Sequence, residues 1–485
     1  MSPEQAIAAA LLVPLLGAAG VLLCRRRPNV REAVTVLATL LTFGAVASLV
    51  PAVTAGGRPG LELFEVLPGL PLAFAVEPLG MLFALVASGL WILTSIYAIG
   101  YMRSHHEGHQ TRFYACFAVA IAAALGIAFA ANLFTLFLFY ELLTLTTYPL
   151  VTHHGDERAR RAGRLYLGLL MATSIVLLLT AIIWTYAVAG TLDFRPGGIL
   201  AGRADAPLAI VLLLLFAFGT GKAALMPFHR WLPAAMVAPT PVSALLHAVA
   251  VVKAGVFTVT KIVLYVFGLD LLRTSGGGEI LAWVAAATLL LAAAVATVQD
   301  NLKRRLAYST ISQLAYVVLG AALANGTAAL GGSLHVAMHA MAKITLFFCA
   351  GAIAVTAHKT EVSQLDGIGR RMPITCGAFF LASLSIIGLP PAGGTWSKWF
   401  LVLGAADGER WAMVAVLLAG SLLAIGYLMP VVVRAFFYPP PAAGEGHGEA
   451  PLLCLLPLTL TALGCVGQFV FAEPLYRLLA PIAGM

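Results

Sequence analysis

The chain has 485 residues, of which 61% are hydrophobic and only 10% are charged, and its mean hydropathy is +0.95. These values exclude a soluble globular domain, because a surface of that composition would aggregate in water. The formal net charge of +8 is explained better by arginines in the connecting loops than by an acidic partner.

Apolar runs of about 20 residues recur along the chain, and each is long enough to cross a bilayer core of roughly 30 Å. They predict an all-α, polytopic membrane protein with about 14 transmembrane helices. The first run has no basic residue before it and "RRRPNVR" after it, which predicts a retained helix and not a cleaved signal peptide. The predicted segments lie near 6–24, 33–53, 74–100, 113–130, 132–152, 164–189, 207–228, 239–266, 279–298, 305–323, 331–357, 372–405, 411–437 and 451–471.

The basic residues of the loops predict the orientation of these helices. With the N-terminus outside, 18 lysines and arginines fall in cytoplasmic connections and 6 fall in connections of the other side. This ratio agrees with the positive-inside rule. It predicts a multi-pass protein of a bacterial inner membrane with both termini on the outer side.

Charged residues inside predicted helices are the first candidates for function, because each costs at least about 2.5–3.5 kcal/mol at the bilayer centre on insertion scales. Glu141 in the fifth segment and Lys222 in the seventh predict a carboxylate–amine pair that titrates as one coupled system. The distance between the two groups would decide whether the lysine holds its proton. Gly219, Gly221 and Pro227 surround the lysine and predict a broken helix beside a hydrated pocket.

A second interrupted segment occurs at "GLPPAGGTWSKWF", which contains Lys398. The two interruptions predict inverted five-helix repeats with broken helices seven and twelve, because an odd number of helices turns the second repeat upside down. The expected divisions are 1–112 with helices one to three, 113–267 and 279–438 with the two repeats, and 451–485 with the last helix.

Titratable residues on the eighth and eleventh segments predict a proton relay between the two broken helices. His335, His339 and Lys343 recur every four residues, which places them on one helix face about 6 Å apart per step. His247 and Lys253 lie roughly 9 Å apart along the eighth segment and about 120° apart around it, so they face different cavities or act as successive stations. Histidine suits a relay because its pKa lies near physiological pH.

Other interpretations of these residues differ in the chemistry they require. A structural scaffold, in which the buried charges only lock helices together, is the competing hypothesis from another class. A metal site at His335 and His339 is rejected, because no acidic or cysteine ligand lies nearby in the sequence. No cofactor is expected, since the six cysteines are scattered and no nucleotide-binding motif is present. Lys261 is expected to snorkel to the interface, and Glu77 to cap a helix or lie at the interface.

Five motifs in order resemble the proton-conducting antiporter-like family of membrane proteins: "FYELLTLTTYPLV", "GTGKAALMPFHRWLPAAMVAPTPVSALLHAVAVVKAG", "DNLKRRLAYSTISQLAYVVLG", "HVAMHAMAKITLFFCAG" and "GLPPAGGTWSKW". The family includes the A-type and D-type components of Mrp-type multisubunit cation/proton antiporters and the antiporter-like components of respiratory complex I and membrane hydrogenases. The resemblance implies an ion pair of Glu141 with Lys222 in the first half-channel. It also implies a relay that ends on a terminal lysine and consists of His247, Lys253, His335, His339, Lys343 and Lys398.

Within this family the chain looks most like the D-type component of Mrp-type Na⁺/H⁺ antiporters, by its length and by Lys253 and Lys398. The resemblance implies part of a secondary transporter, and not an enzyme, that moves protons in exchange for Na⁺ or another monovalent cation. Small hydrophobic membrane subunits are the expected partners, and nucleic acid is not expected. A complex I-like or membrane hydrogenase subunit is the alternative, and a component of an inorganic-carbon uptake system is a more distant one.

Overall fold

The computed structural model describes residues 1–439 and 448–484 of the chain. Within these residues, 11 helical segments are long and apolar enough to cross a membrane. The three other predicted segments contain a shorter or interrupted helix, or a helix with several polar residues. The all-α, polytopic class predicted from the sequence is therefore confirmed. Residue 485, the end of the last predicted division, lies outside the described residues.

The N-terminal part contains three long helices and a two-stranded hairpin. Ser2 caps the first helix, because the backbone N–H of Gln5 donates to its Oγ at 3.2 Å. The hairpin is antiparallel, with Gly60 opposite Ala75. The elements are α1 (Pro3–Leu23), α2 (Pro28–Ala47), α3 (Val50–Thr54), β1 (Gly60–Leu67), β2 (Leu70–Ala75) and α4 (Pro78–Ser104).

The next part contains the first interruption, where a helix stops at Gly219 and continues as a single 3₁₀ turn, Gly221–Ala223. Glycine is required there, because a Cβ on Gly219 would lie 2.4 Å from the backbone nitrogen of Leu178. Three π-helical turns, Thr173–Leu178, Leu245–Val249 and Val263–Phe267, follow α7, α11 and α12, and a 3₁₀ turn, Ala235–Val237, follows α10. The helices are α5 (Gln110–Phe129), α6 (Leu133–Val151), α7 (Glu157–Ala172), α8 (Leu179–Ala189), α9 (Ala206–Gly219), α10 (Trp231–Ala234), α11 (Thr240–Ala244) and α12 (Val251–Ile262).

The second interruption separates two helices at residues 388–393. Gly388 has φ +93°, a conformation that only glycine adopts readily. Both interruptions lie in predicted helices seven and twelve, and that prediction is confirmed. Two 3₁₀ turns, Val362–Gln364 and Ile368–Arg370, precede the second interrupted helix. The helices are α13 (Leu269–Ser275), α14 (Gly277–Val298), α15 (Leu302–Ala322), α16 (Gly326–Ala357), α17 (Pro373–Ile387), α18 (Gly394–Asp407), α19 (Trp411–Phe437), α20 (Leu452–Val470) and α21 (Glu473–Ala483).

The connections between helices alternate between two sides of the bundle. On one side, here called the basic side, Arg112 donates to the carbonyl oxygen of His153 at 2.9 Å, and Asn301 pairs with Glu361. On the opposite side, the hairpin contacts the end of α5. The arginine-rich connections thus meet on one side, in agreement with the loop charges. That this side faces the cytoplasm stays a prediction.

Two of the three most buried spanning segments contain predicted relay residues; the third, α5, is 83% buried and contains none. In residues 240–267, the whole of the best 18-residue window is buried inside the protein, and in α16 the buried share is 78%. Their polar side chains therefore face other helices and not lipid. These two segments carry five of the eight predicted relay residues.

Candidate functional site

The first interruption turns the side chain of Lys222 towards α6. Lys222 is wholly buried, and its Nζ donates to the carbonyl oxygen of Tyr140 at 2.8 Å and to Thr144 Oγ1 at 2.5 Å. The same nitrogen lies 3.2 Å from the centroid of the Tyr140 ring. Trp231 Nε1 donates to the carbonyl oxygen of Gly221 at 3.0 Å, so this backbone group keeps a partner at the interruption. Protein contacts thus hold the broken helix open and present the amine to α6.

Glu141 follows Tyr140 on α6, and the structure brings it close to Lys222 without joining the two. Both of its carboxylate oxygens are buried and have no hydrogen-bond partner among the described residues. Its neighbour Tyr140 places it near the amine, because the Tyr140 carbonyl oxygen accepts from Lys222 Nζ. Since a buried carboxylate without a partner is costly, this separated arrangement favours a change of distance or protonation.

The central part of the predicted relay is directly connected. Lys253 Nζ makes a short contact with His339 Nδ1. The His339 ring stacks on His335, with 5.7 Å between the ring centroids. His335 Nδ1 lies 2.9 Å from Ser397 Oγ, and its Nε2 lies 3.2 Å from Gln313 Oε1. All five side chains are buried, so this run of polar contacts and one ring stack crosses from α12 through α16 to α18.

The surroundings of His335 accommodate its neutral and its protonated form. Gln313 Oε1 can only accept, so His335 Nε2 carries a hydrogen. Neutral Nδ1 accepts from the Ser397 hydroxyl at 2.9 Å. A protonated Nδ1 donates to the same oxygen, and Ser397 Oγ then donates to the carbonyl oxygen of Gly394 at 3.1 Å. Rotation of one hydroxyl therefore lets the ring take up or release a proton.

Lys398 ends the connected part on α18, beside the second interruption. Its Nζ donates to the carbonyl oxygen of Ile387 at 3.1 Å and to Ser421 Oγ at 2.9 Å. The amine lies 4.5 Å from the centroid of the Tyr316 ring, which in turn lies 5.5 Å from the His335 ring. Tyr316 thus bridges the last lysine and the histidine run.

Lys343 and His247 lie beside this run and do not contact it directly. Lys343 Nζ donates to Ser309 Oγ at 2.6 Å. His247 lies in the π-helical turn after α11, with its ring 4.6 Å from that of Phe347. Both of its nitrogens, and His339 Nε2, are buried without a hydrogen-bond partner in the part of the chain that the structure describes. The eight predicted residues therefore form one connected run, two neighbours of that run and the separated Glu141–Lys222 pair.

A buried ion pair near the opposite side was not predicted from the sequence. Lys261 Nζ lies 2.7 Å from Glu77 Oε1 and donates to the carbonyl oxygen of Ala130 at 2.8 Å. Both side chains are buried, and Glu77 makes no capping hydrogen bond at the start of α4. The expected snorkelling of Lys261 and the capping or interfacial role of Glu77 are wrong, because protein surrounds α12 along its whole length. The sequence did contain a signal for this pair: a single carboxylate and a single amine, both predicted near the same side of the membrane.

Neutral partners of the relay could not be recognised in the sequence. Their hydroxyl, amide and carbonyl groups lie on helices other than those of the residues they contact, so no spacing along the chain links them. They are Tyr140, Thr144, Ser309, Gln313, Tyr316, Ser397 and Ser421.

Comparisons with known proteins give consistent results. The family described as "NADH:quinone oxidoreductase/Mrp antiporter, TM" matches residues 130–424. The family described as "NADH-Ubiquinone oxidoreductase (complex I), chain 5 N-terminus" matches residues 69–114. Together these ranges include α4 and both interruptions.

Individual relatives are similar over most of the chain. It is 35% identical over 429 residues to NADH-quinone oxidoreductase subunit N of Desulforudis audaxviator, covering 84% of this chain and 83% of that protein. It is 31% identical over 444 residues to the A/B subunit of a probable K(+)/H(+) antiporter of Rhizobium meliloti, covering 88% of this chain and 43% of that protein. A chain in the structure of the Mrp complex from Dietzia sp. DQ12-45-1b has the same fold, with a TM-score of 0.89 at 23% identity over 100% of this chain and 97% of that chain.

Proposed function

Since the chain belongs to the family of antiporter-like membrane subunits shared by respiratory complex I and Mrp antiporters, we propose that it conducts protons through the membrane interior of a multisubunit monovalent cation/proton antiporter. It is a polytopic integral membrane protein, and its relatives are named as subunits of larger assemblies. We place it in a bacterial inner membrane with both termini outside. Its partners are small hydrophobic membrane subunits, Na⁺ is the first candidate for the exchanged cation, and the chain is part of a transporter and not an enzyme.

The connected run from Lys253 through His339 and His335 towards Lys398 is the observation that carries this function. Groups with both a lone pair and a proton pass protons along such a run without large movements. At 1.5 Å per residue, His339 lies about 20 Å from the start of α16 and Lys398 about 14 Å from the end of α18. Both of these helix ends lie together, since Asn325 donates to the carbonyl oxygen of Gly404. The run is therefore at middle depth and leads sideways.

Glu141 and Lys222 act as the gate of this pathway. In the separated arrangement, neutral oxygens of Tyr140 and Thr144 hold the amine, and the carboxylate has no hydrogen-bond partner among residues 1–439 and 448–484. Approach of the two groups would stabilise both charges, and separation would release a proton from one of them. Loading of the relay thus follows the distance between Glu141 and Lys222.

Protons reach the gate from the basic side. A groove of about 1110 Å³ opens there and is lined by Arg230, Lys303 and Tyr308. Trp231 lies between this groove and the interruption, where its Nε1 contacts Gly221. Buried polar atoms that lack a protein partner are normally satisfied by ordered water, so we expect water to complete the path beside His247 and His339 Nε2.

An antiporter-like, proton-pumping component of a complex I-like or membrane hydrogenase complex is the second candidate. The 35% identity to a subunit N over 83% of its length favours this alternative. The relay would be the same, and only the driving force would differ. In an antiporter another ion gradient drives the protons, whereas in the second candidate redox chemistry in other subunits drives them.

Substitution of His339 tests conduction. His339→Asn keeps an oxygen near the position of Nδ1 that can accept from Lys253, but the amide cannot take up and release a proton. The control is His358→Asn, an exposed histidine just after α16, whose φ of 55° asparagine tolerates. Proton flux in vesicles containing the assembled complex should be lost in the first variant and normal in the second. Normal flux in His339→Asn, or loss of assembly in Lys222→Met and Glu141→Gln alike, would favour the scaffold hypothesis.

The driving force is tested in the same vesicles. An antiporter dissipates an imposed pH gradient when Na⁺ or K⁺ is added and needs no electron donor. A redox-linked complex ignores the cations and acidifies the vesicle lumen only with its electron donor. The second result would replace the antiporter by the alternative while leaving the relay intact.

A further inference from the structure

A groove on the basic side, which none of the eight predicted relay residues lines, combines a charged mouth with an apolar floor. It has a volume of about 1210 Å³ and lies between α1, α5 and the turns that follow α1 and α4. At 1.5 Å per residue, the part along α5 from Gln110 to Val119 is about 14 Å deep. The floor is formed by Ala18, Leu22, Ala115, Cys116 and Val119.

The mouth of the groove has an excess of positive charge. Five arginines line it together with only two acidic residues, Glu32 and Glu107. Arg103 Nε donates to Glu32 Oε1 at 3.1 Å, so one of the two carboxylates is already neutralised. Arg25 and Arg26 are exposed and form no ion pair within the described chain. Their charges are therefore free for a ligand.

Arg31 provides a fixed donor inside this groove. Its side chain is buried, with 5% of the residue exposed, and its guanidinium lies 5.3 Å from the centroid of the Tyr114 ring. Nη1 donates to Thr111 Oγ1 at 3.2 Å and Nη2 to Gln110 Oε1 at 2.6 Å. The Nε atom is buried and has no hydrogen-bond partner in residues 1–439 and 448–484. A buried guanidinium N–H without a partner costs stability unless an acceptor reaches it.

The geometry points to a binding site for one anionic glycerophospholipid in this groove. Its phosphate group lies against Arg25, Arg26 and the free Nε of Arg31, because arginine donates well to phosphate oxygens. One acyl chain follows the apolar floor along α5. Basic pockets at the ends of transmembrane helices suit such head groups, and a soluble phosphate would leave the apolar floor uncovered.

Lipid retention by the full chain tests this site. The protein is purified in a mild detergent and mixed with micelles that contain phosphatidylglycerol or phosphatidylcholine, or with inorganic phosphate alone. Phosphatidylglycerol should bind and raise the unfolding temperature, whereas the other two probes should not. In R25Q/R26Q the affinity for phosphatidylglycerol should fall by about 30-fold.

Two further variants separate a lipid from other occupants. R158Q/R160Q removes two exposed arginines of α7 outside the groove, and it should bind phosphatidylglycerol normally. Cys116→Trp fills the apolar floor and leaves every arginine in place, so it should also lose the lipid. Equal binding by phosphatidylcholine, stabilisation by inorganic phosphate, or full binding by R25Q/R26Q would overturn the assignment. A companion protein that cross-links to position 26 in the assembled complex and excludes the lipid would overturn it too.

Discussion

Three buried lysines of the proposed relay are held by oxygens that carry no charge, whereas Lys253 contacts a ring nitrogen of His339. Lys222 donates to Thr144, Lys343 to Ser309 and Lys398 to Ser421. A hydroxyl can accept from a protonated amine and donate to a neutral one, so each lysine keeps a partner in both states. Lys261 instead faces a carboxylate, which stabilises only the protonated amine. The partners of these three lysines thus permit the proton exchange that we propose, whereas the partner of Lys261 favours a structural ion pair.

Replacement of Glu141 should stop transport and spare stability. In Glu141→Gln the gate loses its charge, so proton flux through the assembled complex should fall to the background rate. The carboxylate oxygens have no hydrogen-bond partner among the described residues, and an amide avoids the cost of a buried charge. The unfolding temperature in detergent should therefore stay unchanged or rise. A variant with normal flux would contradict the gate, and Glu62→Gln on the exposed hairpin is the control.

Replacement of Glu77 should have the opposite effect. Glu77→Gln leaves Lys261 charged and buried without its carboxylate, and loss of one partner of such a pair costs about 3–5 kcal/mol of unfolding free energy. The double variant E77Q/K261M should recover most of this loss. In the control Glu473→Gln, an exposed pair with Arg477 is removed, which should cost less than about 1 kcal/mol. Denaturant unfolding of the detergent-solubilised chain gives these values, and a mild effect of Glu77→Gln would contradict the buried ion pair.

The stability of the basic side should depend on His153. Burial, helped by the nearby Arg112 and His154 charges, lowers the pKa of His153 to about 4. The unfolded chain, with an ordinary histidine pKa near about 6.5, then binds more protons than the folded chain between these values. This contribution to stability should be complete above pH 6.5 and be lost as the pH falls towards 4. Thermal unfolding across this range should show a weaker pH dependence in His153→Asn, and identical profiles would contradict the shift.

Charged residues of the candidate site could be proposed from the sequence, because a charge in an apolar run is conspicuous by its cost. Glu141, Lys222 and Lys398 were found in this way, and the four-residue spacing found His335 and His339. The contacts between them were not predictable, since they depend on which helices are neighbours.

The two interruptions show how glycine positions a functional element. A Cβ on Gly255 of α12 would lie 2.2 Å from the carbonyl carbon of Lys222, so the first interruption packs directly on this helix. Both interruptions could be predicted from glycine and proline. The packing against Gly255 could not, because this glycine stands within an ordinary helical stretch.

An added methyl group at Gly255 should displace the backbone of Lys222. In Gly255→Ala the added methyl group overpacks the interruption, and we expect a loss of about 1–3 kcal/mol of stability together with reduced proton flux. Gly168 on α7 has open space at its Cβ position, so Gly168→Ala should be neutral or stabilise by about 0.5–1 kcal/mol. The free energy of unfolding and the proton flux, measured for both variants, test this prediction. Equal behaviour of the two alanines would mean that the interruption tolerates displacement.

The molecule as a whole combines a helical frame with a sideways line of buried titratable groups, along which we propose that protons pass. The most buried spanning segments among the described residues are 240–267, α5 and α16, with buried shares of 100%, 83% and 78%. Hydropathy alone predicted the helices, and loop charge agreed with the grouping of their connections. Hydropathy could not predict which helices become the most buried, because long apolar helices in contact with lipid and with protein have similar compositions.

A single line of groups makes a prediction about combined substitutions. If Lys253 and Lys398 act in series, either Lys253→Met or Lys398→Met interrupts the whole path. The proton flux of the double variant K253M/K398M should then be no lower than that of the more severe single variant. Two parallel routes would instead leave each single variant partly active and the double variant inactive. The Lys253 amine contacts His339, and the Lys398 amine lies against Tyr316, which stacks on His335. Because this geometry offers one connected run, proton flux in vesicles should be equally low in all three variants. Residual flux in the single variants that disappears only in the double variant would show a second route.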